Sequence, residues 1–334
     1  MRNLIKILFL SDIHYIHPTS RVHIDDVRWF LAGVKWLADW CRYFWFNTDI
    51  AERWTTYWDQ KKRTYVHQAL GQIAKLNETE FDEVVLLGDD VNGHQDQGLV
   101  TKTNAKEGRK ILQILVRFFQ RRPIKVPGGH EPGYILASGA LGQIGISQES
   151  LKTYHQIFGQ LFGARTLAPG LTLVWLYYEP FMVRKRWHHL FKKTQLVWHQ
   201  KEQKKELAFL AKTLKSTNGK FILAVHDCGA LMSPKLQKVL EPYRDRILVT
   251  LCGHFHGRWL ANLIYYFINR GLKRVTGRYR VQIVPSIWGV VFGFWHLGAG
   301  CIEMEIDSTT GHVRLFVHYL SKRKPRSVEL GPII

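Results

Sequence analysis

Ile5-Lys6-Ile7-Leu8-Phe9-Leu10-Ser11-Asp12-Ile13-His14 is the stretch on which the fold turns. A largely apolar run of this length suits a strand buried on both faces, as in parallel sheets covered by layers on either side. It stops at Ser11-Asp12, and the residues that follow are of the kinds that do chemistry. The same arrangement recurs along the chain. Val84 to Leu87 runs into Gly88-Asp89, and Ile124 to Val126 into Pro127-Gly128-Gly129-His130-Glu131. Phe221 to Val225 runs into His226-Asp227, and Ile247 to Leu251 into Cys252-Gly253-His254-Phe255-His256. Residues at the carboxyl ends of such strands commonly build sites in α/β folds.

Helical periodicity lies between these runs, most clearly over Tyr65 to Leu76, Gly108 to Gln120, Gln148 to Phe158 and Glu202 to Leu214. Cys301 to Ile306 and His312 to Tyr319 read as a hairpin turning near Thr310-Gly311. No repeat and no low-complexity linker interrupts the pattern. The expectation is a single α/β domain over residues 1–334 with mixed strands in layers. Three stretches fit less well as core: residues 24–57, 184–205 and 258–280, all rich in aromatic and basic residues.

Composition sharpens this. The chain of 334 residues is 46% hydrophobic, enough for a large core, yet 47 Lys and Arg face 27 Asp and Glu for a net charge of +20. Such an imbalance says little about fold but favours an anionic partner: nucleic acid, an acidic membrane surface or a phosphorylated ligand. Cys41, Cys228, Cys252 and Cys301 form no CxxC pair and read as reduced thiols of a cytosolic protein. The apolar stretch Ile7 to Leu10 is too short for a secretory h-region. Ile283 to Ile302 carries no formal charge, but its Pro285, Gly289, Gly293, Gly298 and Gly300 favour a loop between strands over a membrane span.

Carboxylate and imidazole are ligands suited to Mn, Fe or Zn. Asp12 and His14, like His254 and His256, are spaced by one residue just past a strand, where a curled chain lets both reach one ion. Glycine before Asp89 and before His254 allows a tight turn. A lone histidine at a strand end is more often structural. What matters is the ordered set, each member following an apolar run.

That order, D-x-H, G-D, G-x-H-E, H and G-H-x-H, resembles the signature of the calcineurin-like metallophosphoesterases. The resemblance spans Ile5 to about Tyr319, apart from the three aromatic-basic stretches. It implies a two-sheet β-sandwich flanked by helices, here with aromatic-basic helical insertions. It implies two divalent ions, with Mn favoured and Fe or Zn as alternatives. Asp12, His14, Asp89 and His256 would hold one ion, Asp89 would bridge, and His226 and His254 would hold the second. His130 would be catalytic, beside the substrate phosphate and the leaving group. One position departs from the family: its Asn ligand is Gly129 here. Asn92 is a nearby candidate for the missing amide contact, with a water as the alternative.

Other residues carry blander readings. Asp25 and Asp26 suit a helix N-cap. Adjacent His188 and His189 do not share a helix face. Ser286 lies in no nucleophile elbow. Asp90 reads as structural, and Glu131 either orients His130 or closes a turn.

The aromatic-basic stretches suggest amphipathic helices at a membrane interface. Trp29, Phe30, Trp36, Leu37, Trp40, Tyr43 and Phe44 recur at helical spacing, with Arg28, Lys35 and Arg42 at the margins. Such helices are drawn to anionic phospholipid. Within the family this looks like the branch that cleaves UDP-diacylglucosamine to UMP and a lipid phosphate in lipid A synthesis. It would be a peripheral enzyme on the inner face of the cytoplasmic membrane. The alternatives are a soluble phosphodiesterase or nuclease whose charge steers nucleic acid, and a non-catalytic binding protein with a degenerate site.

Overall fold

A computed structural model of the chain describes residues 4–13, 64–76, 81–91, 99, 102–132, 148–182, 193–254, 270–287, 299–320, 322 and 324–333. His14, Asp25, Asp26, Cys41, Asn92, His188, His189 and His256 lie outside the described residues. So do residues 24–57, 184–192 and 258–269 of the aromatic-basic stretches.

The described residues form two sheets. The first has strand order β11-β10-β9-β1-β2-β3, and the second β4-β5-β6-β7-β8. In the first, β1 (Leu4–Leu10), β2 (Glu83–Leu86) and β3 (Ile124–Lys125) run parallel. There β9 (Gly300–Asp307), β10 (His312–Tyr319) and β11 (Arg326–Pro332) extend the sheet antiparallel from β1. In the second, β5 (Leu171–Leu176), β6 (Lys220–Val225), β7 (Ile247–Cys252) and β8 (Val281–Ile283) are parallel, with β4 (Gly163–Ala168) as an antiparallel edge.

Strand alternation then builds the layers. Ile7 and Phe9 of β1 face the inside of the sandwich, where they join Val85, Ile222, Val249, Met304 and Leu315 from both sheets. Leu8 and Leu10, one residue out of phase, pack outward with Ile111, Leu115 and Tyr154 of flanking helices. The second sheet repeats the division, with Val174, Leu223 and Val225 outward against Leu210, Leu214 and Leu236. An apolar run with no polar alternation is what a strand between two hydrophobic layers requires. Each fully buried side chain contributes about 1.5–3 kcal/mol, and a one-residue slip would turn every one to the wrong layer. The arrangement is a two-sheet sandwich with helices outside both sheets, as the sequence led us to expect.

Differences in extent have local causes. The helix Lys102–Phe119 begins before Gly108, which sits in its interior. A Cβ there would lie 3.3 Å from the Phe158 ring, so that glycine marks a close helix approach rather than a start. The helix Lys193–Ser216 likewise begins well before Glu202. The hairpin of β4 and β5 escaped the sequence reading, because β4 has three consecutive exposed residues and little apolar patterning. Residues 284–287 follow β8 and residue 299 precedes β9, while residues 288–298, on which most of the loop expectation falls, lie outside the described residues. Among the described residues no helix is long and apolar enough to cross a membrane.

Candidate metal centre

The carboxyl ends of the parallel strands converge at one edge, where the two sheets are also joined. Ser11 bridges Ser286, and the Ile287 amide donates to the Ser11 carbonyl at 2.9 Å. From the first sheet, Asp12, Asp89 and His130 follow β1, β2 and β3. From the second, Tyr178, His226 and His254 follow β5, β6 and β7.

Asp12, Asp89 and His254 have φ of 52°, 53° and 67°. Non-glycine residues seldom adopt left-handed backbone, and such residues gather at functional sites. Neighbouring glycines make room at these positions. Gly88, at φ 97°, passes so close to the His226 ring that a Cβ would collide with Nδ1. A Cβ on Gly128 would overlap the Asp89 amide and Oδ1, and one on Gly253 the Ser11 hydroxyl. Gly128→Ala is therefore expected to cost about 1–3 kcal/mol through overpacking. Urea unfolding checks this, and an unchanged midpoint would mean that the Asp89 loop yields freely.

Asp89 is the hub, almost wholly buried. Its Oδ1 accepts from the amides of Gly129 at 2.7 Å and His130 at 3.0 Å. Its Oδ2 lies 2.9 Å from His226 Nε2 and 3.9 Å from His130 Nε2. His226 Nδ1 is 2.5 Å from the Leu87 carbonyl, which can only accept, so Nδ1 carries a proton and Nε2 faces the centre. His254 Nδ1 meets that Nε2 at 3.3 Å, while its own Nε2 lies 3.9 Å from Asp227 Oδ2. The His226 arrangement, one ring nitrogen aimed inward and the other held by a carbonyl, is how ligand histidines are oriented. Asp227 is fixed in turn, accepting from the Gly229 amide at 2.7 Å. Asp12 adjoins the group, its Oδ2 accepting from the His254 amide at 3.0 Å and from the Ser11 hydroxyl.

The result is a donor set. Ligand atoms of Asp89, His226 and His254 all lie within 4.8 Å of one another. Two imidazoles and a carboxylate suit Mn, Fe or Zn. The charge pattern fits a cation as well. Burial alone would press the His226 imidazolium down. The Asp89 carboxylate, by charge and hydrogen bond, with Asp12 and the Leu87 carbonyl, instead holds its pKa up at about 10. The centre is thus negative enough to retain a proton where a metal ion would sit.

Of the residues proposed from sequence, Asp12, Asp89, His130, His226 and His254 come together here. Gly129 contributes only its amide to Asp89. Glu131 closes a turn: its carboxylate accepts from the backbone amides of Asp90 at 2.6 Å and Gly128 at 3.0 Å. Sequence reasoning missed two contributors. The Tyr178 ring packs 5.5 Å from His226 and 6.5 Å from His254, after a strand whose signal was not seen. Asp227 faces His254; its place beside His226 in sequence was the available hint.

No protein-family model matches the chain, and no curated protein matches it. Among solved structures it is similar to a single-mutant Vps29 from Entamoeba histolytica, at 9% identity, 97% of this chain, 98% of that chain and a TM-score of 0.33. It is also similar to Vacuolar Protein Sorting 29 from Cryptosporidium parvum, at 9% identity, 98% of this chain, 96% of that chain and a TM-score of 0.35.

Proposed function

We propose that the chain is a metal-dependent hydrolase of phosphate ester or pyrophosphate bonds. The observation that carries this reading is the convergence of the buried Asp89 and His226 with the half-buried His254, their ligand atoms within 4.8 Å. These three would hold one divalent ion. Asp12, His14 and His256 would hold a second with Asp89 between them, as the motif resemblance implies. Bound metals would supply hydroxide near neutral pH and draw charge from the phosphoryl oxygens. The chain's own groups do the rest. The Leu87 carbonyl fixes the His226 imidazole, Asp227 places a negative charge 3.9 Å from His254 Nε2, and the amides of Gly129 and His130 steady Asp89. His130, with Nε2 3.9 Å from Asp89 Oδ2, is placed to give a proton to the leaving oxygen as its bond to phosphorus breaks. His130→Ala should then lower kcat by about 10²-fold or more with metal content unchanged. Equal loss of both would make His130 a structural residue instead.

Metal binding must displace the His226 proton. Since that proton is held up to about pH 10, it competes throughout the neutral range. Apparent affinity for Mn²⁺ is expected to rise by about tenfold per pH unit, with roughly one proton released per ion. Calorimetry in two buffers of different ionisation enthalpy measures this. An affinity independent of pH would remove His226 Nε2 from the ligand set.

For the substrate we propose a lipid-linked pyrophosphate such as UDP-diacylglucosamine, cleaved at an anionic phospholipid surface on the cytoplasmic side of the membrane. The net charge of +20 and the aromatic-basic stretches support this. Within those stretches, Lys201, Lys204, Lys205 and Arg274 are exposed. Trp198 packs partly buried against the outer core of the first sheet, so it belongs to the scaffold. The test is Mn²⁺-dependent UMP release from UDP-diacylglucosamine in detergent micelles, with a generic phosphodiester alongside. Release of UMP supports the lipid substrate. Cleavage of the generic ester alone would leave a soluble phosphodiesterase or nuclease. A protein that binds no metal after reconstitution would be a non-catalytic binding protein.

A further inference from the structure

Behind the centre lies a group of charges that no part of the proposed chemistry uses. Lys125 ends β3 in an apolar run, Ile124-Lys125-Val126, at the edge of the first sheet. From sequence its side chain belongs in water. Instead it is 2% exposed, with Nζ 2.5 Å from Asp90 Oδ2 and 3.1 Å from Glu131 Oε1, both carboxylates having no exposure at all. The Phe158 ring lies 5.4 Å from Nζ.

The geometry points to a reciprocal clamp in which Lys125 and Glu131 position the Asp89 carboxylate and the His130 loop for metal binding. This inference rests on the metal-centre reading above. The stitching runs both ways between two loops. The Asp89 carboxylate, on the loop after β2, accepts from the amides of Gly129 and His130 on the loop after β3, at 2.7 and 3.0 Å. The Glu131 carboxylate, on the loop after β3, accepts from the Asp90 amide on the loop after β2, at 2.6 Å. Its second oxygen takes the Gly128 amide at 3.0 Å and so shapes the turn that presents residues 129 and 130. The Glu131 carbonyl is held as well, by the Ser150 hydroxyl at 3.1 Å and the Leu99 amide at 3.0 Å.

The clamp draws its strength from charge, since a hydrogen bond to a carboxylate is stronger than one to a neutral acceptor. A fully buried carboxylate stays ionised only beside a cation or enough donors. Lys125 is the cation. Without it the Glu131 carboxylate loses the partner 3.1 Å from Oε1 and can turn away, the Asp90 and Gly128 amides lose their acceptor, and the seat under Asp89 Oδ1 loosens. Asp89 Oδ2 would then no longer be aimed at His226. Lys125 and Glu131 are positioning residues, acting through Asp89.

The experiment measures Mn²⁺ affinity by calorimetry for Lys125→Met, Glu131→Gln and wild type, at a temperature where each is folded by circular dichroism. Leu236→Ala, in the helical layer outside the second sheet, serves as a destabilised control. A clamp that positions the centre predicts Kd raised by about 10–100-fold in both clamp variants, with the control within about twofold of wild type. Should Lys125→Met not fold, Glu131→Gln decides. Clamp variants that bind Mn²⁺ as wild type does would overturn the inference and leave the metal reading standing. The same holds if all three variants weaken alike. Wild type that takes up no Mn²⁺, Fe²⁺ or Zn²⁺ would overturn the metal reading and this inference with it.

Discussion

Asp89→Asn should remove turnover by on the order of 10³-fold or more, since even partners one layer behind a metal ligand cost about 10–100-fold. The substitution keeps the volume and keeps an oxygen for the amides of Gly129 and His130. It places an amide NH₂, which cannot bind a cation, at the oxygen 2.9 Å from His226 Nε2. It also takes away the main charge that holds the His226 imidazolium up, so the pKa of that ring should fall, with only Asp12 and the Leu87 carbonyl left to oppose burial. Folding should be little harmed, because a buried negative charge is lost together with the need to neutralise it. Metal content and hydrolysis of a generic phosphodiester are the measurements. Wild-type values for both would show that Asp89 is no ligand and that the centre lies elsewhere.

Lys125→Met should have the largest effect on stability. The lysine is the cation between two carboxylates that are completely buried. Removing one partner of a buried ionic group costs about 3–5 kcal/mol, because the charge left behind has neither water nor counter-ion. The cost should depend on pH, and its sign can be worked out. In the native protein burial already pushes the Asp90 carboxyl up to about 7, Lys125 opposing and Glu131 reinforcing the shift. A carboxyl whose folded pKa exceeds its unfolded value binds more protons when folded. Stability from it is therefore greatest at low pH, is lost as pH rises above the ordinary carboxylate range, and is fully lost above about 7. Without Lys125 the Asp90 carboxyl should shift further upward. The variant's deficit should be small near pH 5 and large at pH 8, as read by urea unfolding of metal-free protein. A deficit of the same size at both would mean that lost packing of the lysine stem, not charge, sets it.

How much of this was legible in the sequence follows from what each signal depends on. The strands were readable because β1, β2, β6 and β7 bury both faces, which turns a three-dimensional fact into an unbroken apolar run. The ligands were readable because they sit immediately after those runs. Asp89, His226 and His254 meet in space although 137 and 28 residues separate successive members. Lys125 was not readable as buried, since its partners Asp90 and Glu131 reach it only once β2 and β3 lie side by side. Tyr178 follows β5, whose apolar run Leu171–Leu176 was a legible signal that the reading passed over. Gly108 looked like a helix boundary because the Phe158 ring that crowds a side chain there comes from a turn distant in sequence, just past the helix Gln148–Ile157.

The left-handed backbone at Asp12, Asp89 and His254 has a consequence for anyone engineering the chain. Unusual backbone of this sort costs about 1–3 kcal/mol per residue, and glycine is the residue that relieves it most cheaply. A library selected for thermal robustness alone would therefore be rewarded for glycine at these three places. It would converge on a sturdier scaffold with an empty rim, so selection for durability has to be coupled at every round to a screen for bound metal.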